Sequence, residues 1–301
     1  QRLPVVMAVV NRALPAPCSL WCDHSDIMSQ RDQGWIQLFA KNPQEALDFV
    51  LNAYKTSENE KVLVPTMISI DGFFLSHLTE PVNVPTQEEA DLFIDEFKPN
   101  NFTLDPENPY ALNNLSSPAI FTELKYQQKL GMENAEEVLE ENFKKYNEIF
   151  GRKYSVIETE FVEDAETVII CMGSMAGTAK HVVESLRKEG RKVGLLRIVS
   201  FRPFPKKRVA KALKNVKNVA VIDRVASIGT FGPLYEEILA CLKISENNAN
   251  TYSYVAGLGG RDIWEQTIEN IFDRTDELVK NSIPCENPIW IDLKKEGEVI
   301  E

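Results

Sequence analysis

Four apolar runs in the second half of the chain, at Thr167–Met172, Lys192–Val199, Val219–Asp223 and Thr251–Val255, are each followed by a stretch with helical spacing of its apolar residues. The helical stretches are Ala176–Glu189, closed by Gly190, then Lys206–Lys214, Pro233–Leu242 and Asp262–Lys280. A short, mostly apolar run fits a strand buried on both faces, as parallel strands covered by helices are. Four strand–helix repeats in succession predict an α/β fold with an open, doubly wound sheet over residues 153–282.

The first eighty residues repeat the theme with more interruptions. Pro4–Val10, Ile36–Ala40 and Lys61–Asp71 read as strands, although Pro65 sits inside the last. Cys18–Cys22 reads as a further short strand, and His24–Gln33 as a loop or short helix. Asn42-Pro43 places a capping side chain and a proline at a helix start, and Ala46, Leu47, Val50, Leu51 and Tyr54 follow on one face. This order predicts a parallel sheet with a crossover helix over residues 1–80. Residues 81–118 are rich in Pro and Asn and predict linker or wrapping chain. Residues 119–150 predict a helix with a narrow stripe of Leu139, Phe143, Tyr146 and Phe150, capped by Gly151. Residues 81–152 thus separate two α/β units, and 283–301 form an apolar hook with an acidic tail. The chain opens on Gln1 and enters a strand at once, which predicts a preceding segment of the same subunit.

Size and charge narrow the function. A chain of 301 residues suggests two domains, and 44% hydrophobic residues supply a core. A net charge of −12 argues against nucleic acid and anionic membrane surfaces. The five cysteines (Cys18, Cys22, Cys171, Cys241, Cys285) have no spacing for an iron–sulfur cluster or zinc, so any cluster is expected on another polypeptide. Their odd number predicts reduced thiols and a cytoplasmic location.

Chemistry concentrates between Val9 and Trp35. An apolar strand ends there in Asn11-Arg12, prolines follow, and Asp23, His24, Asp26, Arg31 and Asp32 crowd together between Trp21 and Trp35. Strand ends feeding polar loops are where α/β proteins place ligand sites. Two readings are open for Arg12: a bidentate clamp on a carboxylate, assisted by Asn11, or a structural ion pair with Asp23 or Asp26. His24 is a candidate for proton transfer or for hydrogen bonding to an intermediate. Asp26 and Arg31 are better read as fixing the loop. With His24, His77 and His181 the only histidines and no ligand spacing among them, no metal site is expected. The turns at Gly173-Ser174 and at Gly257-Leu258-Gly259-Gly260 resemble phosphate loops only loosely and are read as backbone turns.

The segments NRA, WCDHSDIMSQRDQGW, IQLFAKNPQEALDFVLNAY, ISIDGFFLSH, SFRPFP, Asp223-Arg224 and GLGGRDI together resemble the alpha subunits of archaeal-type pyruvate:ferredoxin oxidoreductase (pyruvate synthase), in the 2-oxoacid:acceptor oxidoreductase family. The resemblance implies part of a thiamine-diphosphate pyrimidine-type domain over residues 1–80, then a transketolase C-terminal-like doubly wound domain. It implies oxidative decarboxylation of pyruvate with coenzyme A to acetyl-CoA and CO2, reversibly, with ferredoxin as electron carrier. Arg12 would then bind the oxoacid carboxylate beside Asn11, with Asp23, His24, Asp26 and Arg31 as the active-site loop. Thiamine diphosphate with Mg2+ and the iron–sulfur clusters would be held mainly by the other subunits: a thiamine-binding beta, a gamma and a ferredoxin-like delta. The G-D-G and N-N motif that holds the cofactor's diphosphate and magnesium does not occur in this chain, and neither does the activating glutamate that the family carries further upstream. Alternatives are a sister enzyme for 2-oxoisovalerate or 2-oxoglutarate, and a noncatalytic α/β scaffold or binding module.

Overall fold

A computed structural model describes residues 1–15, 17–99, 103, 105–109, 111 and 115–294. The acidic end of the expected tail and parts of the expected linker lie outside them. Two sheets organise the chain. The first contains β1 (Val6–Asn11), β2 (Ile36–Phe39) and β3 (Thr66–Asp71), all parallel, in the order β1-β3-β2. Between β1 and β2 lies one short helix, α1 (Ser25–Met28), and between β2 and β3 lies α2 (Pro43–Ser57). Asn42 caps α2 as its sequence demands, its Oδ1 accepting from Glu45 N at 2.8 Å.

After α3 (Gln87–Phe93), the thirty-residue α4 (Phe121–Phe150) crosses α2. It buries Leu139, Phe143 and Tyr146 and ends at Gly151 in the left-handed region. The second sheet has the order β10-β9-β8-β5-β6-β4. Its strands are β4 (Ile157–Glu160), β5 (Thr167–Cys171), β6 (Val193–Ile198), β8 (Asn218–Asp223), β9 (Asn250–Val255) and β10 (Ile289–Trp290). All run parallel except β4, which lies antiparallel to β6. Helices α5 (Met175–Lys188), α6 (Lys206–Ala212), α7 (Pro233–Ile244) and α8 (Glu265–Lys280) are the crossovers.

Three expectations change. Cys18–Cys22 is not a strand: Pro17 cannot donate to a ladder, and the segment is instead held by Gly260 N donating to Cys22 O at 2.9 Å. The strand expected from Lys61 starts only at Thr66, because the turn after α2 runs through 58–62 and Pro65 has no N–H. The expected hook after Ile283 adds β10 to the second sheet.

The two units are not separate bodies on a string. Strand β7 (Ser200–Arg202) leaves the second unit to pair antiparallel with β2 of the first. One apolar cluster continues through both, from Ile27, Phe39 and Met67 to Ile170, Leu196, Phe201 and Val221. A buried ion pair also joins them. Arg197 of β6 grips Glu45 of α2 with two hydrogen bonds of 2.6 and 3.0 Å, and also reaches Glu158 and the Phe39 carbonyl. Burial opposes the charge on Arg197, but Glu45 and Glu158 override it and raise its pKa.

Removing Glu45 takes away the two-bond partner of a fully buried guanidinium and leaves Glu158 as its remaining counter-charge. Glu45→Met is expected to cost about 3–5 kcal/mol, whereas Glu45→Met together with Arg197→Met should recover most of that loss. Urea unfolding of both variants checks this. A double variant no more stable than the single one would contradict it.

Candidate functional site

The C-terminal ends of β1 and β3 lie side by side, with Asn11 opposite Asp71. Two different kinds of residue meet there. Asn11 and Asp71 are fully buried, while the Arg12 side chain is exposed. The Asn11 amide donates to Asp26 Oδ1 at 2.8 Å, and its carbonyl oxygen accepts from Ser69 Oγ. Asp26 Oδ2 accepts from Arg12 N at 3.0 Å, and Ser25 Oγ from Leu14 N at 3.1 Å. Helix α1 therefore clamps the backbone on both sides of Arg12. The guanidinium itself makes no ion pair or hydrogen bond among the described residues. The ion pair with Asp23 or Asp26 that the spacing allows does not form, because Asp26 is spent on the backbone and Asp23 Oδ1 accepts from Ser25 N at 2.8 Å.

His24 does not face this surface. It is fully buried, with Nε2 on Asp71 Oδ1 at 2.8 Å and its N–H on Arg224 O at 2.9 Å. It anchors the loop to β3 through Asp71 and to Arg224 just past the end of β8. Arg31 serves the loop too: its guanidinium donates to Met28 O at 3.2 Å, and its carbonyl accepts from Arg202 at 3.2 Å. Asn11 has both ends of its amide engaged, with Asp26 and with Ser69. The site residues thus separate into one cation, Arg12, with no side-chain partner among the described residues, and a buried or half-buried frame.

The centre of that frame is Asp71, the last residue of β3. Its Oδ2 accepts from Arg224 Nη1 at 3.0 Å, from Ser174 N at 2.9 Å and from Ser174 Oγ. The turn before α5 is shaped for this approach. Gly173 has φ +68°, and a Cβ there would lie 2.9 Å from Asp71 Oδ2. The anion at the α5 N-terminus is therefore Asp71 itself, not a phosphate. The available signal was an apolar run ending in a carboxylate, as at Ile70-Asp71 and again at Ile222-Asp223-Arg224.

Cys22, His24 and Asp71 bring three ligand-type atoms within 4.8 Å of one another. They do not make a metal centre. The Arg224 Nη1 already stands 3.0 Å from Asp71 and 3.4 Å from Cys22 Sγ, where a cation would have to sit. The set is also wrong for magnesium, which takes oxygen ligands. The described residues thus do not fit the magnesium–diphosphate end of thiamine diphosphate.

Several apolar side chains close to Arg12 in sequence are exposed. Val10, Leu14, Leu20 and Trp21 are each about half exposed, at 48–51%. Trp21 stacks on Phe73 at 5.2 Å, and Phe73, held at φ +63°, stacks on His77 at 4.2 Å. Trp35, the other tryptophan of the segment, packs against the main apolar core.

The comparisons with known proteins agree with this architecture. A family profile described as pyruvate flavodoxin/ferredoxin oxidoreductase, thiamine diP-bdg, matches residues 1–144. One described as pyruvate:ferredoxin oxidoreductase core domain II matches residues 165–268. The pyruvate synthase subunit PorA of Methanothermobacter thermautotrophicus is 41% identical over 297 residues, covering 99% of this chain and 75% of that protein. The chain belongs to the pyruvate:ferredoxin oxidoreductase family. Another member, the ketoisovalerate oxidoreductase subunit VorA of Pyrococcus horikoshii, is also 41% identical, over 295 residues covering 98% of this chain and 74% of that one. The fold is shared with a solved 2-oxoglutarate:ferredoxin oxidoreductase from Magnetococcus marinus. The TM-score is 0.59 at 18% identity, covering 92% of this chain and 49% of that one.

The buried charges give this family member a pH signature. Burial lowers the pKa of His24, but the Asp71 carboxylate outweighs it and raises the pKa to about 10. Burial likewise opposes ionisation of Asp71, and Arg224 and His24 reverse this, holding it below the ordinary carboxylate range. A folded pKa raised above the unfolded one stabilises at low pH. His24's contribution is complete below about 6.5 and is lost as the pH rises through about 10. Unfolding free energy should therefore decline between neutrality and pH 10, and Asp71→Asn should flatten that decline. Urea titrations across this range check it; an equal decline in both proteins would contradict the assignment.

Proposed function

We propose that this chain is the subunit of a thiamine-diphosphate-dependent 2-oxoacid:ferredoxin oxidoreductase that holds the carboxylate end of the oxoacid, with pyruvate as substrate. The observation that carries this reading is the free guanidinium of Arg12 at the end of β1, above a backbone fixed by Asp26. A planar guanidinium matches a carboxylate with two parallel hydrogen bonds, and a fixed backbone lowers the ordering cost of making them. The reaction proposed is oxidative decarboxylation of pyruvate with coenzyme A to acetyl-CoA and CO2, in either direction, with ferredoxin carrying the electrons.

The described residues gather neither an oxygen-ligand set for magnesium nor a set of thiols. Thiamine diphosphate, Mg2+ and the iron–sulfur clusters are accordingly assigned to partner subunits. The half-exposed Val10, Leu14, Leu20 and Trp21 around Arg12 are assigned to the interface with the thiamine-binding partner. A cover of that kind excludes water, which strengthens the guanidinium–carboxylate contact. One observation favours a second reading. The identity to the ketoisovalerate subunit equals that to the pyruvate synthase subunit, and every 2-oxoacid offers Arg12 the same carboxylate.

Arg12→Ala tests the assignment in the reconstituted complex. The loss in kcat/KM for the oxoacid should be about 1.5–3 kcal/mol, with KM for coenzyme A and for ferredoxin near wild type. Unchanged oxoacid kinetics would remove Arg12 from the site.

A further inference from the structure

Arg12 is exposed, yet the groups that hold it trace inward to the other unit of the chain. Its N–H rests on Asp26, and Asp26 belongs to α1. That helix has no side-chain cap at His24, its first boundary residue. It is four residues long, too short to hold itself together. Its position is set by His24: the His24 carbonyl accepts from Met28 N at 2.9 Å, its N–H donates to Arg224 O at 2.9 Å, and its ring is bound to Asp71 at 2.8 Å. Asp71 in turn is held by Arg224 at the end of β8 and by Ser174 at the start of α5, both in the second unit. Arg224 is further fixed by the Phe74 ring 4.8 Å beneath its guanidinium. Nothing in this series of contacts is loose. Each member is buried or half-buried, and each is tied to the next by a hydrogen bond or ion pair of 2.8–3.0 Å.

We propose that Arg224 and Ser174 are positioning residues for the oxoacid: acting through Asp71 and His24, they set the helix whose Asp26 fixes the backbone of Arg12. The second unit is then part of the substrate site without touching substrate. This inference rests on the assignment of Arg12 above, so its test carries one readout that needs no substrate.

That readout is hydrogen exchange at the amides of Arg12 and Leu14 in the assembled complex. Ser174→Ala removes a hydroxyl from a half-buried turn and keeps the Ser174 N–H bond, so folding is not at stake. Arg224→Lys keeps the charge and loses the fork. Both should speed exchange at Arg12 and Leu14, and should raise KM for the oxoacid roughly threefold to thirtyfold, with kcat falling less and KM for coenzyme A unmoved. A third readout separates positioning from general loosening. The groups facing His24 are the Asp71 carboxyl from β3, the Asp223 carboxyl from β8, Arg224 just after it, and the Cys22 thiol from its own loop. Asp71→Asn removes the counter-charge, so the pH at which oxoacid KM climbs should move down from the region of about 10 toward neutrality. Wild-type exchange at Arg12 in both Ser174→Ala and Arg224→Lys would overturn the inference whatever Arg12 does. Faster exchange with oxoacid KM unaltered, while Arg12→Ala raises it, would overturn the positioning role alone. An Arg12→Ala complex with normal oxoacid kinetics would instead remove the assignment of the site.

Discussion

A carboxylate with no access to water is costly unless every lone pair is matched, and Asp71 is matched by a histidine, an arginine, a hydroxyl and a backbone N–H. Those partners come from three places: the loop after β1, the end of β8 and the turn before α5. One buried charge therefore decides where the two α/β units meet and where the loop carrying the substrate candidates lies. The Arg197–Glu45 pair works in the same way about a second point of contact. Between them runs the shared apolar cluster, which fills the space but leaves orientation to the charged groups. Apolar contacts are non-directional, and it takes hydrogen-bonded charges to fix one relative placement.

Much of the fold was legible because strands and helices announce themselves by period. The apolar runs at Thr167, Lys192, Val219 and Thr251 became β5, β6, β8 and β9, and Asn42 capped α2 as its side chain requires. What escaped were elements too short to carry a pattern: β7 and β10 have three and two residues, and each is a strand only because a longer neighbour offers its edge. The resemblance to pyruvate:ferredoxin oxidoreductases covered nearly the whole chain, and the family profiles and relatives agree with it.

The candidate site was half legible. Arg12 stood out because a charged residue closing an apolar strand has few uses, and the structure leaves its guanidinium free. His24 and Asn11 stood out for the same reason, yet both are buried and bound. A sequence shows which residues can do chemistry but not which way they face. Asp71, Ser174 and Arg224 are separated by 103 and 50 positions, so no local pattern could join them. Only the pairing of β1 with β3 and the crossing of the second unit bring them together.

The account treats the chain as a carboxylate clamp held rigid from behind and sealed from the front by a partner. The most direct test is a structure of the assembled enzyme with its 2-oxoacid bound. The account predicts the oxoacid carboxylate at about 2.7–2.9 Å from the Arg12 guanidinium, with two parallel hydrogen bonds, and Trp21 covered by the thiamine-binding subunit. An oxoacid carboxylate held by groups of another subunit, with Arg12 turned to solvent, would contradict it.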